Sequence, residues 1–528
     1  MQRRNRRDFL LATGAAALAG TLSASAWPGP AFGQTAGSIA PSEWDYRSAK
    51  ETGAALQARK ISAVELSDHV IARIEALDPK INAVVVRDFD RARDAAKAAD
   101  AAFGRGERRP LLGLPITIKE SFNVAGLPTT WGFVPQKDFK PVEDALAVVR
   151  IKQAGGVILG KTNVPVGLGD WQSYNDIYGT TNNPYDLGRT PGGSSGGSSA
   201  ALAAGYCALA TGSDIGGSLR VPAFHCGIFA HKPTINLCAA RGETPPPFPA
   251  IPREGDLAVI GPMARTAADL SLLLDVMAGP DPLDAGVAYK LDLPVARHQS
   301  LRDFRVLVIE SHPLLPTDRD VRGAIDKLAT DLTKAGVTVA RESTLLPDFA
   351  ETSRLYMRML LSFLGAFFPP DELADAQAGA SQLSPEDRSL GAERLRGITA
   401  SHRAWVFDAG ARAVLRAQWR ALFKTFDAVI CPIMPTPAFP HDHSPEQRLR
   451  RIDIDGTDYP YSDQLAWPGI ATLPGLPATA VPLGLSKGGL PVGVQIVGPF
   501  LEDRTPLKLA ELIEREFGGF TPPPLFDD

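Results

Sequence analysis

The stretch Thr190–Ser199 reads Thr-Pro-Gly-Gly-Ser-Ser-Gly-Gly-Ser-Ser, and residues 214–220 follow with a second glycine-serine cluster, Asp-Ile-Gly-Gly-Ser-Leu-Arg. Glycine allows the backbone to approach a reacting atom closely and to adopt conformations that other residues avoid. Convergent N–H groups in such a turn form a hole for an anion. A serine that follows a Gly-Gly pair is therefore a candidate nucleophile, and such a serine needs a base within hydrogen-bond reach.

Strand and helix patterns alternate around these clusters. Ile116 and Ile118 belong to a short β-branched strand, residues 305–310 form a buried strand, and residues 321–334 show helical spacing. This alternation predicts a layered α/β fold. The proline-rich run 244–252 is expected to be a surface loop.

The composition is that of a globular protein. The 528 residues are 44% hydrophobic and 22% charged, and their net charge of −4 argues against nucleic acid or an anionic membrane as the main partner. The four cysteines are too few for a disulfide framework and are expected to be buried thiols: Cys207, Cys226, Cys238 and Cys431. Apart from His441-Asp442-His443, which is more often a polar turn than a metal site, the histidines lack the spacing of metal ligands, so no metal is predicted.

The N-terminus differs from the rest of the chain. Arg6-Arg7 precedes a short apolar run, Leu11 to Leu22, which resembles a twin-arginine export signal and is too short to span a membrane. We expect a signal peptide over residues 1–33, cleaved after Ala26 or Gly33, and a mature domain over 34–528 that works in the periplasm without stable membrane insertion. A disordered basic tail is the alternative.

Residues Gly155–Thr162 match the phosphate-loop pattern letter for letter. A phosphate loop follows a strand and opens a helix. Here a helical pattern comes first, the middle of the motif is itself strand-like, and Pro165 interrupts the segment where the helix should begin. We therefore predict no nucleotide site.

Two hydrolase hypotheses explain the serines. In the first, Gly193–Gly197 is an α/β-hydrolase elbow with Ser195 as the nucleophile, but Arg189–Pro191 is a poor strand and no histidine has a compelling context. In the second, Lys119, at the end of the strand that contains Ile118, enters the core as a base. Burial among apolar neighbours lowers the pKa of a lysine, whereas a surface lysine at a strand end would be unremarkable chemically.

Seven blocks in order resemble the amidase signature family: Gly113–Lys119, Gly160–Asn163, Gly179–Pro184, Gly192–Gly197, Ser213–Arg220, Gly261–Arg265 and Gly489–Gly498. The resemblance implies that Ser218 forms the acyl-enzyme, that Ser194 bridges after a cis peptide bond, and that Lys119 is the base. It also implies an oxyanion hole and a supporting set. The hole is made of the N–H groups of Ile215, Gly216, Gly217 and Ser218, and the supporting residues are Ser195, Asp214 and Arg220.

The fold implied by the resemblance is a single large α/β/α domain with a mixed, mostly parallel sheet covered by helices. The implied activity is hydrolysis of a small-molecule carboxylic amide, with esters and carbamates also open to the same machinery and no cofactor. The alternatives are the amidase subunit of a tRNA-dependent amidotransferase and an inactive binding or scaffold protein. A homodimer is left open, and substrate choice is expected to depend on residues 340–470.

Overall fold

The computed structural model describes residues 42–253 and 255–524. Its strands, in chain order, are β1 (Val84–Arg87), β2 (Pro115–Lys119), β3 (Val157–Thr162), β4 (Tyr174–Asn175), β5 (Gly179–Thr180), β6 (Leu209–Asp214), β7 (Phe229–Lys232), β8 (Val259–Ala264), β9 (Arg305–Val308), β10 (Thr338–Ala340), β11 (Ala428–Cys431), β12 (Arg451–Ile454), β13 (Thr457–Pro460), β14 (Ala478–Leu485) and β15 (Pro491–Val497). The predicted signal peptide and its cleavage positions lie outside the described residues.

Helices separate most of these strands. In chain order they are α1 (Ala49–Gln57), α2 (Ala63–Ile81), α3 (Phe89–Gly104), α4 (Leu146–Gln153), α5 (Gly196–Ala203), α6 (Arg220–His225), α7 (Ala267–Met277), α8 (Arg319–Lys334), α9 (Phe349–Gly365), α10 (Pro370–Ser381), α11 (Leu390–Ile398), α12 (His402–Thr425), α13 (Ala466–Thr472) and α14 (Arg504–Phe517). None of the helices within the described residues has the length and apolarity needed to cross a bilayer.

One large sheet organises the molecule, with strand order β1-β3-β2-β6-β8-β7-β14-β15-β11-β9-β10. β2 runs parallel to both β3 and β6, and β9 runs parallel to both β10 and β11. The other neighbours in this sheet, including those in its middle, are antiparallel. The prediction of a mixed central sheet with flanking helices is confirmed.

The strands nearest the glycine-serine clusters form the inside of the core. Every residue of β2, β3 and β6 is buried, because helices cover both faces of this part of the sheet. α2 begins with Ser62 as its N-cap and Glu65 in a capping box, and it buries Leu66, Val70 and Ile74 on one face. The sheet is thus a rigid platform from which the loops at its strand ends project.

Two compact units make up the described chain, and the smaller one comprises residues 354–410. It contains the C-terminal part of α9, the helices α10 and α11, and the first residues of α12. Arg358 links α9 to α11 and α12, because its guanidinium lies 2.7 Å from Glu393 of α11 and 2.9 Å from Asp408 of α12. The larger unit contains the sheet and all the glycine-serine loops.

Two smaller predictions are also confirmed. All four cysteines are buried and unpaired. The phosphate-loop look-alike is not a loop before a helix, because α4 precedes it and residues Val157–Thr162 are the strand β3. Lys161 of this motif is buried in the strand, where its ammonium donates to the Pro128 carbonyl and lies 2.7 Å from the Thr129 hydroxyl.

Candidate active site

The parallel pairing of β2 with β6 brings the sequence-predicted residues to one edge of the sheet. Carboxyl ends of parallel neighbours meet at the same edge, where sites form in open α/β sheets. Lys119 is the last residue of β2, and its N–H donates to the Thr211 hydroxyl of β6 at 3.0 Å. Asp214 ends β6, so the loop that carries Ser218 starts beside Lys119.

Lys119 is enclosed by protein. Its exposed fraction is 0%, which excludes the surface-lysine alternative. The Nζ atom lies 2.8 Å from Ser194 Oγ and 2.8 Å from Ser213 Oγ. Burial lowers the pKa of Lys119 to about 8, while the carboxylates of Glu243 and Asp214 act in the opposite direction. A substantial fraction of the lysine is therefore neutral near pH 8 and able to accept a proton.

The first glycine-serine cluster forms a turn that leads into α5. The peptide bond between Gly193 and Ser194 is cis. The Ser195 N–H donates to the carbonyl of Ser218 at 3.2 Å, which holds the two clusters together. Gly192 has a φ of 87°, and a Cβ there would lie 2.5 Å from the Cα of Pro222, so both its conformation and its space require glycine.

The second cluster is shaped by a buried ion pair. Asp214 accepts from the Leu219 N–H at 3.1 Å, and its carboxylate also receives Nε and Nη2 of Arg220 at 3.0 and 2.9 Å. Arg220 further donates to the Pro468 carbonyl at 3.0 Å and to Gln495 Oε1 at 2.7 Å. This network fixes the turn between Asp214 and Arg220 against the C-terminal part of the sheet.

One predicted donor has a different partner in the structure. The Gly217 N–H donates to Asp214 Oδ1 at 2.9 Å in this structure, and its place in the oxyanion hole stays a prediction. The Asp214 carboxylate accepts this N–H because Gly217, with a φ of 95°, directs its amide toward the end of β6. Ile215 also has an interaction partner. Among hydrogen bonds of the described residues, none uses the N–H of Gly216 or Ser218.

The three residues of the second hydrolase hypothesis differ in exposure. Ser194 and Lys119 are 1% and 0% exposed, whereas Ser218 is 5% exposed and is thus the most accessible of the three. Among the hydrogen bonds of the described residues, the Ser194 hydroxyl contacts Lys119, and none joins the side chains of Ser194 and Ser218.

The elbow hypothesis for Ser195 does not match the geometry. Residues 190–195 contain no strand, and Ser195 directly precedes α5. The Ser195 hydroxyl is 3.3 Å from the Ser213 N–H, and no histidine of the described chain hydrogen-bonds it. Ser195 therefore supports the strand end of β6. The described residues also contain no group of three or more His, Cys, Asp or Glu side chains placed to hold a metal.

Sequence reasoning missed three residues of the site. Ser213 stands in the Ser213–Arg220 block but carries no signal of its contact with Lys119. Trp171 donates its indole N–H to the Gly216 carbonyl at 2.9 Å and so braces the loop that carries Ser218. Glu243 is buried beside Lys119, although it directly precedes the run 244–252, for which the sequence predicts a surface loop. That expectation is wrong at the start of the run, because Thr244 is buried.

The chain matches one protein-family model and is similar to several known proteins. Residues 65–507 match the family model described as Amidase. The chain is 32% identical over 500 residues to fatty-acid amide hydrolase 2-A of Danio rerio, covering 90% of each chain. It is 32% identical over 485 residues to a glutamyl-tRNA(Gln) amidotransferase subunit of Roseiflexus sp. (strain RS-1), covering 87% of this chain and 94% of the relative.

A solved structure of 6-aminohexanoate cyclic dimer hydrolase has the same fold, with a TM-score of 0.72 and 26% identity over 91% of this chain and 99% of that one. The family match spans most of the sheet and both glycine-serine clusters. The edge formed by β2 and β6 thus lies within the matched region. This chain belongs to the amidase signature family of hydrolases, which act on carbon–nitrogen bonds.

Proposed function

We propose that this protein hydrolyses the C–N bond of a small carboxylic amide through an acyl-enzyme on Ser218. The observation that carries the proposal is the 2.8 Å contact between Lys119 Nζ and Ser194 Oγ, made inside the core beside the Ser218 loop. A serine hydroxyl is a weak nucleophile and needs a base, which a buried neutral lysine supplies through a bridging serine. Ser195, Asp214 and Arg220 hold this arrangement.

In the proposed reaction a proton is transferred from Ser218 toward Lys119 and is later returned to the leaving amine. Ser218 Oγ attacks the carbonyl carbon while its proton passes to Ser194, whose own proton passes to Lys119. The N–H groups of Gly216 and Ser218 donate to the oxygen that becomes negative, and one such donor is worth roughly 3–4 kcal/mol. Collapse of the intermediate breaks the C–N bond, and the proton returns through Ser194 to the leaving amine. Water then hydrolyses the acyl-enzyme and releases the carboxylic acid.

The substrate class follows from the electrophile that this machinery attacks. The similarity to fatty-acid amide hydrolase 2-A supports a carboxylic amide, and the same attack reaches esters and carbamates. We propose no cofactor. The acyl and amine groups are to be found by assaying a panel of primary amides, anilides, peptide amides and carbamates for release of ammonia or amine.

The decisive variant is Ser218→Ala. Removal of a nucleophile of this type is expected to lower kcat by roughly 10⁴-fold or more, because no other group forms the acyl-enzyme. Ser271→Ala is the matched control, since the Ser271 hydroxyl only approaches the Ala267 carbonyl within α7, at 3.5 Å. Full activity of Ser218→Ala would overturn the proposal.

Two alternatives are open to direct test. The 32% identity to the amidotransferase relative raises the role of an amidase subunit in a complex. An inactive binding protein is the other. Covalent labelling of Ser218 by a fluorophosphonate separates an enzyme from a binding protein. Amide hydrolysis by the purified chain, without partner subunits, separates an independent amidase from one that needs its complex.

We further propose that residues 1–33 export the folded protein to the periplasm. The support is the Arg6-Arg7 pair before a short apolar run. Fractionation of producing cells should give a periplasmic protein with a processed N-terminus, and replacement of both arginines by lysine should retain it in the cytoplasm. A cytoplasmic, unprocessed protein would contradict this proposal and would restore the amidotransferase alternative.

A further inference from the structure

Asp170, the residue before Trp171, carries a buried carboxylate that the proposed relay does not use. Arg450 Nη1 donates to its Oδ2 at 2.6 Å, and the two side chains are 1% and 3% exposed. The Tyr461 hydroxyl donates to Oδ1 at 2.5 Å, and Gln447 Nε2 donates to Oδ2 at 3.0 Å. The carboxylate therefore ties residue 170 to a much later part of the chain.

The backbone and the indole of Trp171 contact both glycine-serine clusters. The Trp171 carbonyl accepts from the Thr190 hydroxyl at 2.9 Å, at the start of the first cluster. A Cβ on Gly193 would lie 2.3 Å from the carbonyl oxygen of Asp170, so the two segments pass each other closely. The indole N–H donates to the Gly216 carbonyl of the second cluster at 2.9 Å. Residues 170 and 171 thus connect the two clusters.

Tyr461 holds the indole of Trp171 in place. The two rings are 5.2 Å apart between centroids, at an interplanar angle of 50°. Phe439 packs edge-on against Tyr461, with the centroids 5.8 Å apart. Because the hydroxyl of Tyr461 is also bonded to Asp170, its ring cannot turn away from the indole without losing that bond. The orientation of the indole therefore depends on the Asp170 carboxylate.

The indole in turn fixes one peptide plane of the loop that carries Ser218. In a planar trans peptide the C=O of Gly216 and the N–H of Gly217 point in opposite directions. Trp171 holds the carbonyl, and Asp214 holds the N–H. Both flanking residues are glycines, which allow many orientations of this plane, so the hydrogen bonds decide it. The N–H groups of Gly216 and Ser218 belong to the two adjacent planes, and their directions depend on this one.

We infer that Asp170 is a positioning residue, which acts through the indole of Trp171 to direct the oxyanion donors beside Ser218. This role rests on the proposed function, since it concerns the same oxyanion. Hydrogen-bond donors stabilise a developing negative charge only when they already point at it. A change at Asp170 is therefore expected to slow the chemical step while reagent binding stays the same.

The test measures how a fluorophosphonate labels Ser218, because its phosphoryl oxygen takes the place of the oxyanion and no natural substrate is needed. The maximal rate constant, kinact, is separated from the half-saturating concentration, KI. Trp171→Phe keeps an aromatic ring against Tyr461 but removes the N–H, and it should lower kinact by about tenfold or more. Asp170→Asn should lower kinact by about fivefold or more. In both variants KI and the final fraction of labelled protein should match the wild type.

That final fraction separates positioning from general destabilisation. A variant that is merely less well folded would leave part of the protein unlabelled, and this result for Asp170→Asn with an unchanged kinact would overturn the inference. Tyr461→Phe removes one hydrogen bond to Asp170 without leaving a charge unpaired, so it serves if Asp170→Asn does not fold. It should lower kinact by about threefold, and an unchanged kinact would count against the role of Asp170.

A matched control removes a different buried carboxylate. Asp427 accepts from Arg305 Nη2 at 2.8 Å and directly precedes β11, which four strands separate from β6 in the sheet. Asp427→Asn should leave kinact and KI unchanged. If it lowers kinact as much as Asp170→Asn does, the loss is not specific to the Ser218 loop and the positioning role is overturned.

A double-mutant cycle shows whether Asp170 acts through the indole. In a Trp171→Phe background there is no N–H to direct, so Asp170→Asn should lower kinact by less than about twofold further. Equal losses in the two backgrounds would overturn the inference, and so would a wild-type kinact for Trp171→Phe. If wild-type Ser218 is not labelled at all, the proposed function itself fails, which is a different outcome from either of these.

Discussion

Buried lysines are not rare in this protein, and their partners distinguish them. Burial lowers the pKa of Lys161 to about 8 and that of Lys232 to about 7, values similar to that of Lys119. Yet both donate to a backbone carbonyl, Lys161 to Pro128 and Lys232 to Pro233. Lys161 also contacts a hydroxyl, that of Thr129, at 2.7 Å. Lys119 differs from both, because its Nζ contacts serines of the two glycine-serine blocks, Ser194 and Ser213.

We predict that kcat/KM rises with pH through about 8. The ammonium form of Lys119 has no lone pair, so activity below the pKa should fall about tenfold for each pH unit, as for the loss of one essential deprotonated group. The measurement is the pH profile of kcat/KM between pH 6 and 10. Lys119→Met should remove nearly all activity at every pH. A flat profile, or an active Lys119→Met enzyme, would exclude this lysine as the base.

The site residues that could be predicted from sequence lie in short motifs, in which each residue type has a chemical role. Lys119 and Ser194 are of this kind, and the structure brings them into contact. Glu243 and Trp171 could not be predicted, because their roles depend on where a distant loop returns. Glu243 comes near Lys119 only across the fold, and Trp171 reaches Gly216 by a single indole N–H. No local pattern encodes such a contact.

The helix after the first cluster is held more tightly than its composition suggests. Every residue of α5 is buried, and its small side chains let the backbone pass close to neighbouring segments. At Gly197 a Cβ would lie 2.7 Å from the carbonyl oxygen of Asn163. Backbone there has little room to move, because Asn163 follows β3 directly. Close packing of this helix therefore fixes the turn that presents Ser194.

We predict opposite effects for two glycine-to-alanine changes in helices. In an unrestricted helix the change stabilises by about 1 kcal/mol, whereas a clash in a packed core costs about 1–3 kcal/mol. Gly197→Ala should therefore lower the free energy of unfolding. Gly323→Ala in α8, where a Cβ meets nothing within 4 Å, should raise it. Urea denaturation of both variants gives the comparison, and a stabilised Gly197→Ala protein would contradict the packing argument.

Across the whole molecule, the fold class was predictable while the order of the strands was not. Alternating strand and helix patterns were enough to predict a layered α/β fold, and the resemblance to the amidase signature family implied the mixed sheet under helices. The sequence offered no reason to place β14 and β15 between β7 and β11, since those neighbours are chosen by long-range packing of buried strands. The same packing leaves buried titratable groups of the described chain without hydrogen-bond partners, and these link stability to pH.

We predict that stability falls as the pH drops below about 6.5, in part because of His225. This histidine is fully buried at the end of α6, neither ring nitrogen has a partner among the described residues, and burial lowers its pKa to about 3. Below about pH 6.5 the unfolded chain binds a proton at this histidine that the folded protein does not bind. The free energy of unfolding therefore falls by up to about 1.4 kcal/mol for each pH unit between about 6.5 and 3.

The measurement compares the free energy of unfolding at pH 7 and pH 4.5. His225→Leu should reduce the loss between these two pH values by about 2–3 kcal/mol, since leucine removes the proton-binding group from the unfolded chain. Exposed His402 provides the control, and His402→Leu should leave the loss unchanged. An equal loss in wild type and His225→Leu would show that other groups carry the pH dependence.

The contacts of Arg220 have a consequence for the order in which the protein is made. During synthesis Lys119, Ser194 and Ser218 leave the ribosome long before Gln495, which accepts from Arg220. A nascent or truncated chain that lacks β15 contains every residue of the proposed relay, yet its Asp214–Arg220 pair lacks a partner that the folded core supplies, and a buried charge left short of partners is strongly destabilising. We therefore expect hydrolytic activity only from a chain that includes β15, and we expect truncated chains without this strand to be inactive.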